Sequence, residues 1–220
     1  ALGHDPALEI IYVDDGSDDA SPAIFAKLAE ELAPRFKCIR HQRRCGQSTG
    51  VWTGVRHAKN PWIATLDADG QNDPANIPKM LDQLFAAARP ELRLVAGWRQ
   101  KRRDTWLKRV ASRIANRVRA AFLKDSTPDT GCGLKVFSRD LFLRLPYFDH
   151  MHRFLPALVR RAGGQVESVH VAHRSRTHGQ SHYGIGNRLW VGIIDMLGVM
   201  WLQRRARVPR VERLRTKDSA

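Results

Sequence analysis

The sequence predicts an α/β protein with a largely parallel β-sheet flanked by helices. Short apolar runs of strand length alternate with longer segments whose apolar residues recur at helical spacing. Two of the apolar runs, Glu9–Val13 and Trp62–Leu66, end directly in acidic residues. Strands that alternate with helices favour parallel pairing, because each parallel pair needs a crossover connection.

Four strands and three helices are predicted in the first half of the chain. The strands cover residues 9–13, 36–40, 62–66 and 92–96, and the helices cover 21–32, 46–58 and 74–85. Ser21-Pro22 marks a helix start, because serine can cap free backbone amides and proline is tolerated in the first turn. Asp73-Pro74 marks the start of the third helix in the same way.

The second half is predicted to be mainly helical and is strongly basic. A long helix over 106–123 has an apolar stripe that includes Val110, Ile114 and Val118. Strands are expected at 134–137 and 165–172, and helices at 141–145, 154–161 and 189–202.

The composition allows one compact domain with a basic tail. The 220 residues are 43% hydrophobic, which is enough for one substantial core. The formal net charge of +15 requires an anionic partner: nucleic acid, a membrane surface or a polyanionic substrate. Three cysteines without a CxxC pair predict free thiols in a reducing compartment, and the polar first eight residues predict no signal sequence.

Paired acidic residues follow the first and third predicted strands. Asp14 and Asp15 end the first strand, and Asp67 and Asp69 follow the third. Ligands of α/β sheets bind beyond the carboxyl ends of strands, so we expect both pairs at one crevice. Asp67, Asp69 and Gln71 offer the oxygen ligands that suit Mg²⁺ or Mn²⁺. The alternative for each loop is a turn whose acidic side chains cap backbone amides or face solvent.

Five short motifs follow one another along the chain: Tyr12–Ser17, Arg44–Ser48, Thr65–Pro74, Asp129–Lys135 and Arg176–Gly184. In this order they resemble family 2 glycosyltransferases of the GT-A fold, in the branch of dolichol-phosphate mannose synthase and other polyprenyl-phosphate glycosyltransferases. The resemblance covers nearly the whole chain. It implies transfer of a sugar from a GDP- or UDP-linked donor to a polyprenyl or dolichyl phosphate, with Mg²⁺ or Mn²⁺ as cofactor.

The resemblance also implies roles for individual residues. Nucleotide binding is expected of Asp14, Asp15, Gly46, Gln47 and Asp67. Metal binding is expected of Asp67, Asp69 and Gln71, and a catalytic role of Asp69, Lys135 and Arg176. Contacts to the acceptor phosphate are expected of Arg99, Lys108, Ser112 and Ser181. For the basic residues the alternative is a solvated surface charge.

The expected mechanism follows from charge. The departing nucleoside diphosphate is an anion, which a metal ion and cationic side chains stabilise. A lipid phosphate is already anionic, so single displacement with inversion needs no general base. A sugar hydroxyl acceptor would need one, and Asp129 is the candidate. We prefer for Asp129 the alternative role of capping the turn at Gly131.

The chain is expected to divide into a catalytic domain over 1–175 and a membrane-associating segment over 176–220. In the helix over 189–202, Trp190, Ile194 and Trp201 recur at helical spacing, and a basic tail follows from Arg204. This pattern predicts an interfacial helix on anionic lipids, peripheral to the cytoplasmic face of an inner or ER membrane. Fourteen residues reach about 21 Å, too short for a hydrocarbon core of ~30 Å. The alternative is an ordinary core helix.

The chain departs from the family pattern at two places. It begins at the second strand of that pattern, so we expect a sheet without its first strand and with an open strand edge. His182 stands where relatives often have lysine. The competing functions are a nucleotidyltransferase of the same fold, a glycosyltransferase with a polysaccharide or other hydroxyl acceptor, and a basic nucleic-acid- or membrane-binding protein. Nucleic acid is not expected, because basic and aromatic residues are not interleaved.

Overall fold

The computed structural model describes residues 8–86, 89–99, 119–172, 174, 185–205 and 207. The strands are β1 (Ile10–Asp14), β2 (Phe36–Arg40), β3 (Trp62–Thr65), β4 (Leu92–Arg99), β5 (Lys135–Ser138) and β6 (Gln165–Val171). The helices are α1 (Ser21–Glu31), α2 (Gln47–His57), α3 (Ile77–Phe85), α4 (Arg139–Leu143), α5 (Met151–Arg161) and α6 (Ile185–Arg205). Residues 119–123 are also helical. The alternating order of strands and helices from β1 to β4 confirms the α/β class.

The element boundaries differ from the sequence predictions for local reasons. The helix predicted over 74–85 is a 3₁₀ turn, Pro74–Asn76, followed by α3, and Asp73 caps the turn by accepting a hydrogen bond from Ala75 N at 3.1 Å. Strand β4 extends to Arg99 because it pairs with β6 along that whole stretch. Of the basic helix predicted over 106–123, only the end lies within the described residues.

The strands form two sheets. Strands β1 and β2 are a parallel pair, and the second sheet has the order β3-β5-β4-β6. In the second sheet β5 is antiparallel to both neighbours, whereas β4 and β6 are parallel, so three of its four strands point the same way. Within the described residues β1 pairs with β2 alone.

Both faces of the four-stranded sheet are covered, because successive side chains of a strand point to opposite faces. Leu94 and Ala96 of β4 pack in a cluster with residues of α2, α4, α5 and α6. Val95 packs on the other face with Met80 and Leu84 of α3. Burial of each large apolar side chain contributes about 1.5–3 kcal/mol. The two layers fix the strands of this sheet, and the loop after β3 therefore starts from a defined position.

Helix α6 has 21 residues rather than the 14 predicted. One face packs on the first cluster through buried Val199, with Met196, Met200 and Leu202 partly buried against it. The opposite face exposes Trp190, Ile194, Leu197 and Trp201. The packed face fits the alternative of a core helix, and the interfacial role of the exposed face stays a prediction. Among the described residues, no helix combines the length and the apolar character needed to cross a bilayer.

Candidate active site

The two acidic loops are joined by consecutive residues at the start of α2. Gly46 N donates to Asp15 Oδ2 at 2.8 Å, and Gln47 Nε2 donates to Asp67 Oδ1 at 2.7 Å. Gly46 has φ of +90°, a conformation that glycine adopts without the strain a side chain would bring. The structure thus brings together four of the residues assigned to nucleotide binding, as the convergence of strand ends predicts.

Asp14 lies below the site rather than in it. Its side chain is 1% exposed, and Oδ1 accepts a hydrogen bond from Ser17 N at 3.0 Å. Arg40 Nε lies 3.2 Å from Oδ2 but is not aligned for a hydrogen bond. Asp14 therefore stabilises the turn after β1 in this structure, which is the alternative considered above, and its part in nucleotide binding stays a prediction.

Asp15 reaches across to the loop between β2 and α2. Its Oδ1 accepts from Cys45 N at 2.9 Å and lies 2.7 Å from His41 Nδ1. Burial raises the pKa of Asp15, but the hydrogen bonds from His41, Cys45 and Gly46 outweigh burial, and the pKa is lowered overall. Gly16 allows the two loops to touch, since a Cβ at this position would lie 2.9 Å from the carbonyl carbon of Arg43.

In the loop after β3, Asp67, Asp69 and Gln71 are half-buried, whereas the intervening residues are exposed. Asp69 Oδ1 accepts a hydrogen bond from Gln71 N at 3.1 Å. Two carboxylates and an amide are ligands of the type that a hard divalent cation prefers. The metal assignment stays a prediction, and the residues present fit it.

Gly133 makes room for Asp67. A Cβ built on Gly133 would collide with the carboxylate of Asp67, so a residue with a side chain could not stand here without moving that carboxylate. Thr65 Oγ1 donates to Gly133 O at 2.8 Å and holds the two segments in this register. The motif Asp129–Lys135 thus contributes to the site partly through a missing side chain.

Two cationic side chains, Lys135 and Arg99, lie near these acidic residues, and each donates hydrogen bonds to other groups of the protein. Lys135 is 4% exposed and donates to Cys132 O; its burial lowers the pKa of the amine, and the charges of Asp67 and Asp129 act in the opposite direction. Arg99 donates from Nε and Nη2 to the two carboxylate oxygens of Asp129 at 2.7 and 2.9 Å. Burial lowers the pKa of Arg99, but these bonds raise it overall.

The Arg99–Asp129 ion pair was not predicted from the sequence. Both carboxylate oxygens of Asp129 accept hydrogen bonds from Arg99, and the expected contact of Arg99 with the acceptor phosphate stays a prediction. The expected role of Asp129 as a cap of the turn at Gly131 also stays a prediction. The sequence separation of 30 residues gave no signal for the pairing. Lys108, Ser112, Arg176 and Ser181 lie outside the described residues, and their roles stay predictions.

The sequence analysis did not identify His41, Thr53 or His152 as part of this region. His152 Nδ1 lies 2.7 Å from the Oγ of buried Ser48 in the first turn of α2. Burial and the charge of Lys135 lower the pKa of His152 to about 3, so this imidazole is neutral at physiological pH. A lone histidine 104 residues from its partner carries no motif that could have revealed it.

Comparison with known proteins identifies the family. The family model described as "Glycosyl transferase family 2" matches residues 2–145, well over half of the chain. The chain belongs to glycosyl transferase family 2. The motifs that suggested this family are those whose residues form the site, apart from the last, which lies outside the described residues.

Curated members of glycosyl transferase family 2 resemble the chain along most of its length. A dodecaprenyl-phosphate galacturonate synthase of Rhizobium johnstonii is 35% identical over 199 residues, which are 89% of this chain and 58% of that protein. An undecaprenyl-phosphate 4-deoxy-4-formamido-L-arabinose transferase of Edwardsiella ictaluri is 32% identical over 80% of this chain and 53% of its own length. The chain thus spans little more than half the length of the curated relatives it matches.

Solved structures confirm the GT-A fold. Glucosyl-3-phosphoglycerate synthase from Mycobacterium tuberculosis, in complex with Mg²⁺ and UDP, superimposes with a TM-score of 0.61 at 18% identity, covering 91% of this chain and 69% of that one. A mannosyltransferase from Pyrobaculum calidifontis, in complex with GDP-Man and Mn²⁺, gives a TM-score of 0.59 at 18% identity, covering 92% of this chain and 56% of that one.

Proposed function

We propose that this chain carries the catalytic domain of an inverting, metal-dependent hexosyltransferase that moves a sugar from a nucleotide-sugar to a polyprenyl phosphate at a membrane surface. The observation that supports it most is the hydrogen-bonded path from Asp15 through Gly46 and Gln47 to Asp67. This path supports the proposal because it joins the carboxylate proposed to bind the nucleotide to a carboxylate proposed to bind the metal. The acceptor class is supported by the names of the curated relatives.

In this proposal the two loops divide the donor between them. Asp15, with Gly46 and Gln47, binds the nucleoside part. Asp67, Asp69 and Gln71 hold Mg²⁺ or Mn²⁺, which when bound offsets the charge that develops on the leaving diphosphate. Lys135 adds a positive charge below Asp67, with which it interacts electrostatically.

The state of Asp129 favours a phosphate acceptor over a hydroxyl acceptor. A general base must take up a proton from the substrate, and protonation of Asp129 would remove the charge that pairs with the Arg99 guanidinium. A phosphate acceptor is anionic at neutral pH and needs no such base. The ion pair is therefore compatible with transfer to a lipid phosphate and leaves a sugar hydroxyl without its candidate base.

The exposed face of α6 is the part of the molecule that fits a membrane surface. Trp190, Ile194, Leu197 and Trp201 form a stripe that is more than half exposed at each position, and Arg204 and Arg205 follow it. Such a helix lies in the interface with tryptophans at headgroup level, and each basic residue near anionic lipids adds roughly 1 kcal/mol. We place the protein at the cytoplasmic face of the membrane, bound peripherally.

A donor screen tests the reaction. Radiolabelled UDP- and GDP-sugars are incubated with polyprenyl phosphate, with Mn²⁺ or with EDTA, and the products are extracted into organic solvent. We expect label in the lipid phase with Mn²⁺ and one class of donor, and none with EDTA. Label that stays in the aqueous phase for every donor contradicts the lipid acceptor.

Vesicle flotation tests the membrane contact separately. The protein should float with vesicles containing anionic phosphatidylglycerol and less with neutral ones. The double variant Trp190→Ser, Trp201→Ser should lose most of the binding at unchanged fold, judged by circular dichroism. The matched control is Trp98→Ser, an exposed tryptophan outside α6. Equal flotation of both variants contradicts the role of α6.

A further inference from the structure

The carboxylate of Asp15 is held by three hydrogen bonds from the loop before α2. Among the described residues, Oδ1 has two partners, His41 Nδ1 at 2.7 Å and Cys45 N at 2.9 Å. Oδ2 has one, Gly46 N at 2.8 Å. A carboxylate has about four acceptor positions. One position therefore stays open, and it is on Oδ2. The side chain is 33% exposed, so this position is accessible.

His41 is itself fixed at its second nitrogen. Its Nε2 lies 2.9 Å from Thr53 Oγ1 in the middle of α2, and its side chain is 12% exposed. An ionised carboxylate only accepts hydrogen bonds, and the pKa of Asp15 is lowered, so His41 Nδ1 must be the donor. In the neutral imidazole Nε2 then accepts from the Thr53 hydroxyl. The hydrogen bonds to Thr53 and Asp15 thus fix the tautomer and the orientation of the His41 imidazole.

The cluster of Asp15, His41 and Cys45 resembles a metal site, but the hydrogen bonds of its side chains argue against metal binding. Ligand atoms of Asp15, His41 and Cys45 lie within 4.8 Å of one another. A metal-binding histidine must leave one ring nitrogen free for the ion. Here Nδ1 donates to Asp15 and Nε2 is bonded to Thr53, while Cys45 Sγ lies 3.2 Å from the carbonyl of Arg43.

One open acceptor position restricts the base that Asp15 can bind. Guanine presents two adjacent donors, N1–H and the 2-amino group, which a carboxylate binds through both oxygens. Uracil presents a single ring donor, N3–H. Since Oδ1 already has two partners, Asp15 can satisfy the uracil donor but leaves one guanine donor unpaired. A site that leaves a buried donor unpaired discriminates strongly against that ligand.

We infer that His41, held by Thr53, is a positioning residue that fixes Asp15 with one acceptor position open, and that the site therefore selects a uridine over a guanosine donor. The inference rests on the proposed function in that it takes Asp15 to bind the base of the donor. Beyond the proposed function, it specifies the base of the donor, which the motifs leave undecided, and it gives a role to His41 and Thr53.

Calorimetric titration with free UDP and free GDP in the presence of Mn²⁺ tests the inference on the full chain. We expect UDP to bind about tenfold or more tightly than GDP. His41→Ala should weaken UDP binding and bring the UDP/GDP ratio close to one. The UDP/GDP ratio of Thr53→Val should lie between those of the wild type and His41→Ala. The variant His41→Asn, whose side-chain amide can replace Nδ1–H as a donor, should recover part of the selectivity. The control, His57→Asn on the exposed end of α2, should match the wild type.

Steady-state kinetics separates positioning from a merely structural role. His41→Ala should raise KM for the donor at nearly unchanged kcat. The variants His41→Ala and His41→Asn should have the same unfolding temperature. GDP binding as tight as UDP in the wild type overturns the inference, as does an unchanged ratio in His41→Ala. Stoichiometric Zn²⁺ binding that is lost in Cys45→Ser also overturns it. Free nucleotides need no acceptor, so selective UDP binding without sugar transfer would contradict the proposed function alone.

Discussion

The two loops at the crevice are built differently. Asp15, after β1, is held by three hydrogen bonds from the neighbouring loop, and the histidine among the donors is held in turn by Thr53. Asp67, after β3, accepts a side-chain hydrogen bond from Gln47, and the absence of a side chain at Gly133 leaves room for its carboxylate. The loop proposed to bind the base is thus organised by the protein itself, whereas we expect a cation to complete the loop proposed to bind the metal.

Removal of a metal ligand should have the largest effect. Asp69→Asn keeps the size of the side chain and removes its charge, so turnover with Mn²⁺ should fall about a hundredfold to a thousandfold. The unfolding temperature without metal should hardly change, because the site contributes little to the fold before a cation binds. Initial rates and thermal unfolding measure the two effects. Asp82→Asn, on the exposed face of α3, is the control; a variant at Asp69 that keeps full turnover would contradict the metal assignment.

A methyl group at position 133 should displace the metal loop without changing any ligand. Gly133→Ala places a Cβ on the carboxylate of Asp67, and a displacement of about 1 Å at a reacting centre costs roughly a hundredfold in rate. Gly131→Ala is the matched control, because the nearest atom to its Cβ is Arg99 Nη2 at 3.5 Å, an ordinary contact. Equal rates for the two variants would show that the position of Asp67 is not critical.

Asp129 should matter for stability rather than for proton transfer. Asp129→Asn leaves the buried charge of Arg99 without its counterion, and breaking such a pair costs about 3 kcal/mol. Urea unfolding measures this loss, and turnover per folded molecule should stay within about tenfold of the wild type. If Asp129 were a general base, the rate would instead fall about a hundredfold or more at nearly unchanged stability.

At neutral pH the smallest expected effect is that of His152, because its contribution to stability changes only under acid conditions. Its pKa is lowered to about 3, so the folded state keeps it neutral while the unfolded chain binds a proton below the ordinary value near 6.5. Stability is therefore complete above pH ~6.5 and falls toward pH 3, by at most roughly 1.4 kcal/mol per pH unit.

Thermal unfolding between pH 4 and 8 checks this assignment. His152→Gln should flatten the decline on the acid side. Ser48→Ala removes the hydrogen bond to Nδ1 of His152 but keeps the imidazole buried. The unfolding temperature of this variant should therefore be lower than that of the wild type at every pH, with the same dependence on pH. An unchanged slope in His152→Gln would exclude His152 as the source.

Local patterns predicted much of this molecule. The acidic residues after β1 and β3 predicted the crevice, because the carboxyl ends of parallel strands meet at one edge of a sheet for any loop conformation. Residues joined by distant contacts were not predictable in the same way. The pairing of Arg99 with Asp129 and of Ser48 with His152 depends on how separate elements pack. The length of α6 was underestimated because the residues at its two ends, 185–188 and 203–205, are mostly polar or glycine and do not continue the apolar pattern.

A series of short contacts joins α6 to the crevice. Asp195 of α6 lies 3.1 Å from Nδ1 of His150, which directly precedes α5. Two residues on, His152 contacts Ser48, and its neighbour Gln47 bonds to Asp67. Under the proposed function, in which the tryptophans of α6 lie in a membrane surface, these contacts would set the distance between that surface and the loop after β3. That distance would in turn decide which atoms of a membrane-held acceptor can reach the donor.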